Sequence, residues 1–188
     1  MRLMLPSCQV RTPRPSDAPA LAKYANNRAI WLNLRDAFPH PYTLADAERF
    51  IEVALGQDPE QRFVIEAGGA AVGCIGLGLH SDVERVSAEI GYWIAEPFWN
   101  RGIATDALRG LTAHAFERLP LTRIFAVPYE WNAASCRVLE KAGYTLECRM
   151  RRSAIKDGRV VDQFLYAFVP PADTGEKRCP SSSGSPTT

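Results

Sequence analysis

Residues 89–107 form the stretch of the chain whose residue types are best suited to bind an anion. Pro97 ends a run of aromatic and β-branched residues, and after Gly102 the apolar residues change to helical spacing, which predicts a strand, a turn and a helix start. The N–H groups in the first turn of a helix have no intrahelical acceptor and lie at the positive end of the helix dipole, so they attract phosphate. Gly102 permits close approach of the backbone, Ala104 leaves the turn uncrowded, and Arg101 adds a positive charge.

Two common phosphate-binding motifs are absent from this turn. A Walker loop needs a Gly-Lys-Ser/Thr ending, and a dinucleotide fingerprint needs three spaced glycines, and the stretch has neither. A diphosphate whose reactive end lies elsewhere is therefore the more suitable ligand. Because many glycine turns are only tight connections, the other elements of the chain must decide between the two interpretations.

The loop over residues 28–42 is the second stretch that could do chemistry. Prolines divide it, so a shaped loop is expected after a short helix, and it carries aromatic side chains together with both signs of charge. Such a loop can form one wall of a binding pocket, or its side chains can pack over the edge of a core. The side chains concerned are Trp31, Asn33, Arg35, Asp36, Phe38, His40 and Tyr42.

Composition describes an ordinary globular protein. The 188 residues, 46% hydrophobic and 23% charged, suit one domain over residues 1–170, followed by a Pro-, Ser-, Gly- and Thr-rich tail over residues 171–188 that we expect to be disordered. A net charge of +1 gives no electrostatic reason to expect nucleic acid or an anionic membrane as a partner. No window has the length of a membrane span, and residues 1–10 are too short and too polar for a secretory signal.

Cysteine and histidine positions give no indication of a metal or a disulfide framework. The cysteine count is odd, no C-x-x-C pair occurs, and the three histidines, at 40, 80 and 114, lack metal-ligand spacing. We therefore expect no metal and a reducing, cytoplasmic setting. The cysteines are Cys8, Cys74, Cys136, Cys148 and Cys179.

Hydrophobic periodicity predicts elements in the order β, α, α, then a β meander, then βαβα and a closing hairpin. Thr43 and Asp46 resemble a capping box, and a Gly68-Gly69 turn separates two apolar arms. This order predicts an α/β fold with a mixed sheet, in which the glycine turn lies where one strand leads into a crossover helix.

With these elements in place, the sequence resembles the GNAT N-acetyltransferases over roughly residues 8–169, and within them the Rim-type branch, which includes ribosomal-protein N-terminal acetyltransferases. The resemblance implies a mostly antiparallel sheet of about seven strands with helices on both faces. It implies acetyl-CoA as cofactor and an amine as acceptor, either a protein N-terminus or a small molecule, in a monomer or a homodimer. The segments that carry it are residues 33–36, 38–42, 90–94, 99–105, 132–135 and 139–144.

The resemblance also assigns roles to residues. The strand at Tyr92, Trp93 and Ile94 would pair with the pantetheine arm, and Asn132 and Ser135 would lie along the thioester arm. The pyrophosphate would bind at Arg101, Gly102, Ile103, Ala104 and Thr105. The residues that would bind the amine substrate are Trp31, Asn33, Asp36, Phe38 and Tyr42. One departure is Trp99, where the wider superfamily prefers Gln or Arg, although the Rim-type branch shares the tryptophan.

Acetyl transfer requires a neutral amine, whereas a lysine titrates near roughly 10.4 and an α-amine near about 8, so a base is needed. Superfamily members often place a glutamate on the strand near the thioester, which makes Glu89 the first candidate. Its alternative reading is an exposed strand carboxylate paired with an arginine. Asp36 and Glu84 are weaker candidates for the base.

Ser135 matches the family position that donates a proton to the departing thiolate or positions its sulfur. Its alternative reading is a first-turn hydroxyl that bonds its own helix backbone. Cys136, its neighbour, invites an acyl-cysteine mechanism, but a nucleophilic cysteine needs a partner base and no histidine is near in sequence. Direct transfer is therefore expected.

Overall fold

One mixed sheet runs through the computed structural model, which describes residues 1–171. Its strands are Arg2–Met4 (β1), Gln9–Arg11 (β2), Arg62–Ala67 (β3), Ala70–Leu79 (β4), Ser87–Ile94 (β5), Arg123–Ala126 (β6), Thr145–Lys156 (β7) and Arg159–Phe168 (β8). The helices are Ala18–Ala25 (α1), Arg28–Trp31 (α2), Leu44–Leu55 (α3), Ile103–Arg118 (α4) and Ala133–Lys141 (α5). The strand order is β1-β2-β3-β4-β5-β6-β8-β7.

The predicted mixed α/β fold is confirmed, with eight strands where about seven were expected. The additional strand is β1, three residues whose hydrogen-bond partner is β2. Every neighbouring pair is antiparallel except β5 and β6, which are joined through α4 and run parallel, as the crossover at the glycine turn predicted. The predicted tail lies outside the described residues, apart from residue 171.

Helices cover both faces of the sheet because successive strand residues point to opposite faces. On one face α4 and α5 contribute Leu108, Leu111 and Leu139 to the larger core cluster. On the other face α1 and α3 contribute Leu21 and Ile51 to a second cluster. Within residues 1–171, no helix has both the length and the apolar character that crossing a membrane requires.

Two glycines of β4 let this strand approach its neighbours closely. A Cβ atom on Gly73 would overlap the carbonyl oxygen of Trp93, and one on Gly76 would lie 2.7 Å from the carbonyl oxygen of Gln61. Side chains at these two positions would push β5 and β3 away from β4. The glycines therefore help to fix the strand that carries the candidate site.

A buried ionic cluster fixes the start of α1 to the sheet. Two nitrogens of the Arg11 guanidinium donate to the two oxygens of Asp17 at 2.8 and 2.7 Å, and its Nε donates to Glu66 at 2.6 Å. Burial by itself would raise the pKa of Asp17, but the hydrogen bonds from Arg11 and from the Arg14 N–H outweigh it and hold that pKa below the usual 3.8. The cluster connects β2, β3 and the turn before α1.

Candidate active site

The parallel strands β5 and β6 separate after three residue pairs. Ser87, Ala88 and Glu89 lie opposite residues 123–125, whereas β5 stays paired with β4 as far as Ile94. From Ile90 onward the other edge of β5 has no partner strand among residues 1–171, and a cleft opens between the diverging strands. A strand edge with free N–H and C=O groups can pair with any extended ligand that offers the complementary groups.

The alternation of an antiparallel ladder identifies the backbone groups that face this cleft. Ser87 accepts from the His80 N–H at 3.2 Å, and the Ala95 N–H donates to Val72 at 2.7 Å, so the odd-numbered residues of β5 bond to β4. The backbone groups of Tyr92 and Ile94 therefore point to the cleft.

This geometry corrects the expectation that Trp93 would pair with the pantetheine arm together with Tyr92 and Ile94. Trp93 is an odd-numbered residue, so its N–H lies on the β4 side of the strand. Its ring packs on the opposite face of the sheet, with its centroid 6.1 Å from that of Phe38. Trp93 thus supports the loop over residues 28–42, and Tyr92 and Ile94 supply the cleft edge.

Trp99, the departure from the wider superfamily, has a structural role in this chain. Its indole Nε1 donates a 2.7 Å hydrogen bond to the carbonyl oxygen of Ile94. The bond satisfies one of the polar groups at the end of β5 and leaves the Ile94 N–H as the donor on that edge. It also joins the strand to the turn that follows.

The turn before α4 presents a group of free N–H donors. Gly102 is the N-cap residue, with φ of 78° and ψ of −10°, and no side chain caps the helix. The first backbone hydrogen bond of the helix runs from the Asp106 N–H to the Gly102 carbonyl at 3.0 Å. The N–H groups of Ile103, Ala104 and Thr105 therefore have no acceptor among the described residues.

The charges around this turn favour an anion. The exposed Arg101 guanidinium lies 5.1 Å from the centre of the Phe98 ring. Asp106, an acid in the first turn of the helix, instead accepts hydrogen bonds from the N–H and the hydroxyl of Ser7, at 3.1 and 2.6 Å. These two hydrogen bonds hold the only acidic side chain of the first turn against Ser7.

The start of α5 lies against β5 at a pair of hydroxyl groups. Asn132 caps α5, because its Oδ1 accepts from the Ser135 N–H at 3.1 Å. The Ser135 hydroxyl is 2.9 Å from the Tyr92 hydroxyl, so the alternative reading, a bond to its own helix backbone, does not apply. Burial raises the pKa of the Tyr92 phenol well above its usual range, so this hydroxyl keeps its proton near neutral pH.

Glu89 lies on the opposite face of β5 from Tyr92 and is held by an arginine. Both of its carboxylate oxygens accept from one nitrogen of Arg35, at 2.6 and 2.5 Å. The Glu89 side chain is 27% exposed and that of Arg35 is 71% exposed. A hydrogen bond from one exposed nitrogen is easily exchanged, so the pairing leaves Glu89 accessible to another cation.

The loop over residues 28–42 is ordered by its own contacts. Asn33 donates to the Ala29 carbonyl at 2.9 Å and accepts from the Trp131 indole at 3.1 Å. Tyr42 is only 7% exposed and stacks on Phe38 with ring centroids 4.8 Å apart. Tyr42 was expected to bind substrate, but its burial makes it a core residue.

Trp31 and Asp36 were also expected to contact the acceptor, and both contact Lys156 from the last hairpin. The Lys156 Nζ is 2.7 Å from Asp36 and 3.7 Å from the centre of the Trp31 ring. Sequence reasoning missed Lys156, which ends the first strand of the closing hairpin. Trp131 was missed as well, and Arg35 was named without its partner Glu89, because pairings between residues so far apart in the chain leave no periodic signal.

The weaker candidates for catalysis have other partners. Glu84 is exposed and its carboxylate is 3.1 Å from His80. Burial raises the pKa of the Cys136 thiol, which disfavours the thiolate that an acyl-cysteine mechanism needs. The cysteines of the described part, Cys8, Cys74, Cys136 and Cys148, are all free thiols, and no three acidic, histidine or cysteine side chains in residues 1–171 are grouped to hold a metal.

The chain belongs to the acetyltransferase (GNAT) domain family, because the family model matches residues 8–145, well over half of the chain. The matched region includes β5, β6, α4 and α5, the elements that build the cleft. The resemblance inferred from the sequence motifs is confirmed.

Curated relatives come from Bacillus. YdaF of Bacillus subtilis (strain 168), named as a candidate ribosomal N-acetyltransferase, is 38% identical over 117 residues, which is 60% of this chain and 63% of YdaF. The uncharacterized N-acetyltransferase YoaA of the same organism is 33% identical over 98 residues, 52% of this chain and 55% of YoaA. The matches thus span less than two thirds of each relative.

Solved structures share the fold over most of the chain. RimJ of Mycobacterium smegmatis, determined in complex with CoA-disulfide, is 26% identical with a TM-score of 0.78, and the match covers 90% of this chain and 86% of RimJ. RimL, a ribosomal L7/L12 α-N-protein acetyltransferase determined with coenzyme A, has a TM-score of 0.80 at 21% identity, over 90% of this chain and 98% of RimL. At that identity, RimL shows a common fold only.

Proposed function

We propose that this protein is an acetyl-CoA-dependent N-acetyltransferase that transfers the acetyl group directly to a primary amine, with the α-amine of a protein or peptide N-terminus as the leading acceptor. The observation that carries the proposal is the cleft between β5 and β6, with an open strand edge on one side and an uncapped helix start next to it. Membership of the acetyltransferase family, the ribosomal N-acetyltransferase name of YdaF and the structural similarity to RimJ support it.

The residues present fit acetyl-CoA. The free N–H groups of Ile103, Ala104 and Thr105, with Arg101 beside them, suit a pyrophosphate. The backbone groups of Tyr92 and Ile94 suit the amide-bearing pantetheine arm, which pairs as an additional strand would.

When bound, the cofactor supplies an acetyl group activated as a thioester. The Ile94 N–H is a fixed donor on the cleft edge, of the kind that stabilises charge on a carbonyl oxygen. Asn132 and Ser135 belong to the end of α5 that meets β5, where Tyr92 contacts Ser135. The Ser135 hydroxyl can position or protonate a sulfur, with the Tyr92 O–H donating to Ser135 in turn.

Glu89 would accept the proton of the incoming ammonium group. The carboxylate is accessible, and its cationic partner Arg35 is held through one exposed nitrogen only. An ammonium group can therefore replace the guanidinium at the same oxygens. Proton transfer to Glu89, directly or through a water molecule, then leaves the neutral amine that attack on an acyl carbon requires.

The test is a comparison of matched amines by release of free CoA. One peptide has a free α-amine and no lysine, a second has a blocked N-terminus and one lysine, and spermidine, a free amino acid and an aminoglycoside complete the set. Turnover restricted to the first peptide supports the leading acceptor. Turnover of only the small amines favours the small-molecule alternative. If the protein binds acetyl-CoA but releases no free CoA with any of the amines, a non-catalytic binding module is favoured.

We further propose residues 1–170 as a single catalytic domain that works in the reducing cytoplasm, where the four described cysteines remain thiols. A homodimer remains a candidate assembly. Equilibrium sedimentation of the full chain decides between one and two copies.

Replacing Gly102 by alanine should weaken CoA binding by about tenfold or more. An alanine at φ of 78° is strained by roughly 1–2 kcal/mol, so the turn would relax and move the free N–H groups of α4. Titration calorimetry with CoA measures the change. Gly56→Ala is the control, since Gly56 has ordinary helical angles and an added Cβ would meet no atom closer than 3.6 Å. Equal CoA affinity in the Gly102 variant would contradict the assignment of the turn.

Tyr92→Phe should reduce kcat by about tenfold and leave the fold intact, because Ser135 loses the hydroxyl that holds it. The matched control is Tyr144→Phe, another buried tyrosine, whose hydroxyl bonds Thr112 at 2.7 Å in the core. Both variants should lose roughly 1 kcal/mol of unfolding free energy. If both lose kcat equally, the Tyr92 effect is only structural and its role at Ser135 is wrong.

A further inference from the structure

Lys156 is the only lysine in residues 1–171 whose side chain is fully buried. It ends β7 at the tip of the closing hairpin and is 0% exposed, whereas Lys23 and Lys141 lie on the surface. A charged side chain is buried only when its partners compensate for lost hydration. The groups around the ammonium therefore indicate what the burial achieves.

Both partners of the Lys156 ammonium belong to the loop over residues 28–42. Asp36 accepts from Nζ at 2.7 Å, and the face of the Trp31 indole covers Nζ at 3.7 Å from the ring centre. A cation over the face of an indole is attracted by the ring quadrupole, more strongly when water is excluded. The hairpin tip and the loop thus share one buried charge across 120 residues of sequence.

A second ion pair of opposite polarity lies beside the first. Arg28 from α2 donates to Asp157, the residue after Lys156, at 2.7 Å, and its guanidinium lies 5.4 Å from the Trp31 ring centre. Each side contributes one cation and one anion, so only one alignment of hairpin and loop satisfies both pairs. We name the set Lys156, Asp157, Arg28, Trp31 and Asp36 the interlock.

The interlock lies next to the proposed acceptor side of the cleft. Arg35, the partner of Glu89, directly precedes Asp36 in the chain, and Asn33 of the same loop bonds Trp131 from the segment before α5. A displacement of the hairpin tip would therefore move the groups that surround Glu89. In residues 1–171, no hydrogen bond or ion pair joins the cofactor turn, residues 101–105, to this set.

We propose that Lys156 is a positioning residue for the amine acceptor: the interlock holds the loop over residues 28–42 in the one arrangement that admits an amine to Glu89. The inference rests on the proposed function. It assigns to the hairpin tip a role in acceptor binding that is separate from cofactor binding.

The experiment uses Lys156→Met, because methionine keeps the unbranched apolar stem and removes only the charge, while the partner Asp36 is exposed enough to be hydrated. The control is Lys141→Met, which removes a surface lysine at the end of α5. Asp36→Asn is a second variant, which keeps Lys156 and removes its anionic partner. Should Lys156→Met fail to fold, Asp36→Asn carries the same predictions with smaller changes.

In Lys156→Met the KM for the amine should rise about tenfold or more, with kcat changed less than about threefold and the Kd for acetyl-CoA unchanged. Hydrogen exchange should become faster at the amides of Asn33, Leu34 and Phe38, which are bonded within the loop, and stay unchanged in β5. The control should show neither change.

Unchanged exchange in the loop would overturn the proposal, and so would faster exchange with an unaltered KM for the amine. Exchange and acetyl-CoA binding need no acceptor. If wild-type protein turns over no amine, the proposed function fails by itself, and loop exchange still decides whether Lys156 holds the loop.

Discussion

Glu89→Gln is expected to lower kcat with an amine acceptor by about 10²–10⁴-fold, the usual contribution of a positioned general base. The amide keeps the shape of the carboxylate and can accept a hydrogen bond, but it cannot take a proton near neutral pH. Acetyl-CoA binding should be unaffected, because Glu89 and Tyr92 lie on opposite faces of β5. Steady-state CoA release, with calorimetry for cofactor affinity, measures both quantities.

The deficit of this variant should shrink as pH rises. An α-amine titrates near about 8, so above roughly pH 9 most of the acceptor is already neutral and a base contributes less. Glu84→Gln is the matched control, since Glu84 is exposed, lies on a neighbouring loop and pairs only with His80. A pH-independent loss in Glu89→Gln, or an equal loss in the control, would show that Glu89 is not the base.

Asp17→Asn is expected to lower the free energy of unfolding by about 3–5 kcal/mol, since the buried Arg11 guanidinium loses the carboxylate that pairs with two of its nitrogens. The Arg11 guanidinium is 5% exposed and would keep its bonds to Glu66 and to the Thr12 carbonyl. For a chain of this length the loss corresponds to a fall in Tm of roughly 6–20 °C. Chemical denaturation with a linear extrapolation gives the free energy directly.

The same carboxylate makes stability depend on pH. The pKa of Asp17 in the folded protein lies below its unfolded value near 3.8, so its contribution is fully present above that pH and is lost as the pH falls through the folded pKa. Wild-type protein should lose this part of its stability on acidification, and Asp17→Asn should lack that part of the pH dependence. Glu147→Gln, which breaks the exposed pair with Arg123, should cost less than about 1 kcal/mol.

Local patterns predicted most of the fold because each element carries its own signal. The Thr43 capping box, the glycine-rich β4 and the change to helical spacing after Gly102 are each encoded within a few residues, and the structure has all three. The strand β1 was missed because its three residues lie beside Pro6 and gain stability only by pairing with β2. A strand that depends on its partner has no periodicity of its own.

The two sides of the candidate site also differ in how much of them the sequence predicted. The proposed cofactor side was inferred from the local motifs around Tyr92, Gly102 and Asn132. The acceptor side depends on contacts between distant segments, such as Arg35 with Glu89 and Lys156 with Trp31, which spacing alone does not predict. For the same reason Tyr42 was expected at the substrate and instead lies in the core.

The sheet consists of two halves, which are joined by the three residue pairs between β5 and β6. Strands β1–β5 form one half and β6–β8 the other. Beyond Glu89, no strand pairing in residues 1–171 connects the two halves. At the far end of the second half, the ion pairs of Lys156 and Asp157 connect the β7–β8 hairpin to the loop over residues 28–42, which packs on the first half. Contacts therefore join the two halves at both ends of the cleft. They hold the width of the space in which an amine and a thioester would meet.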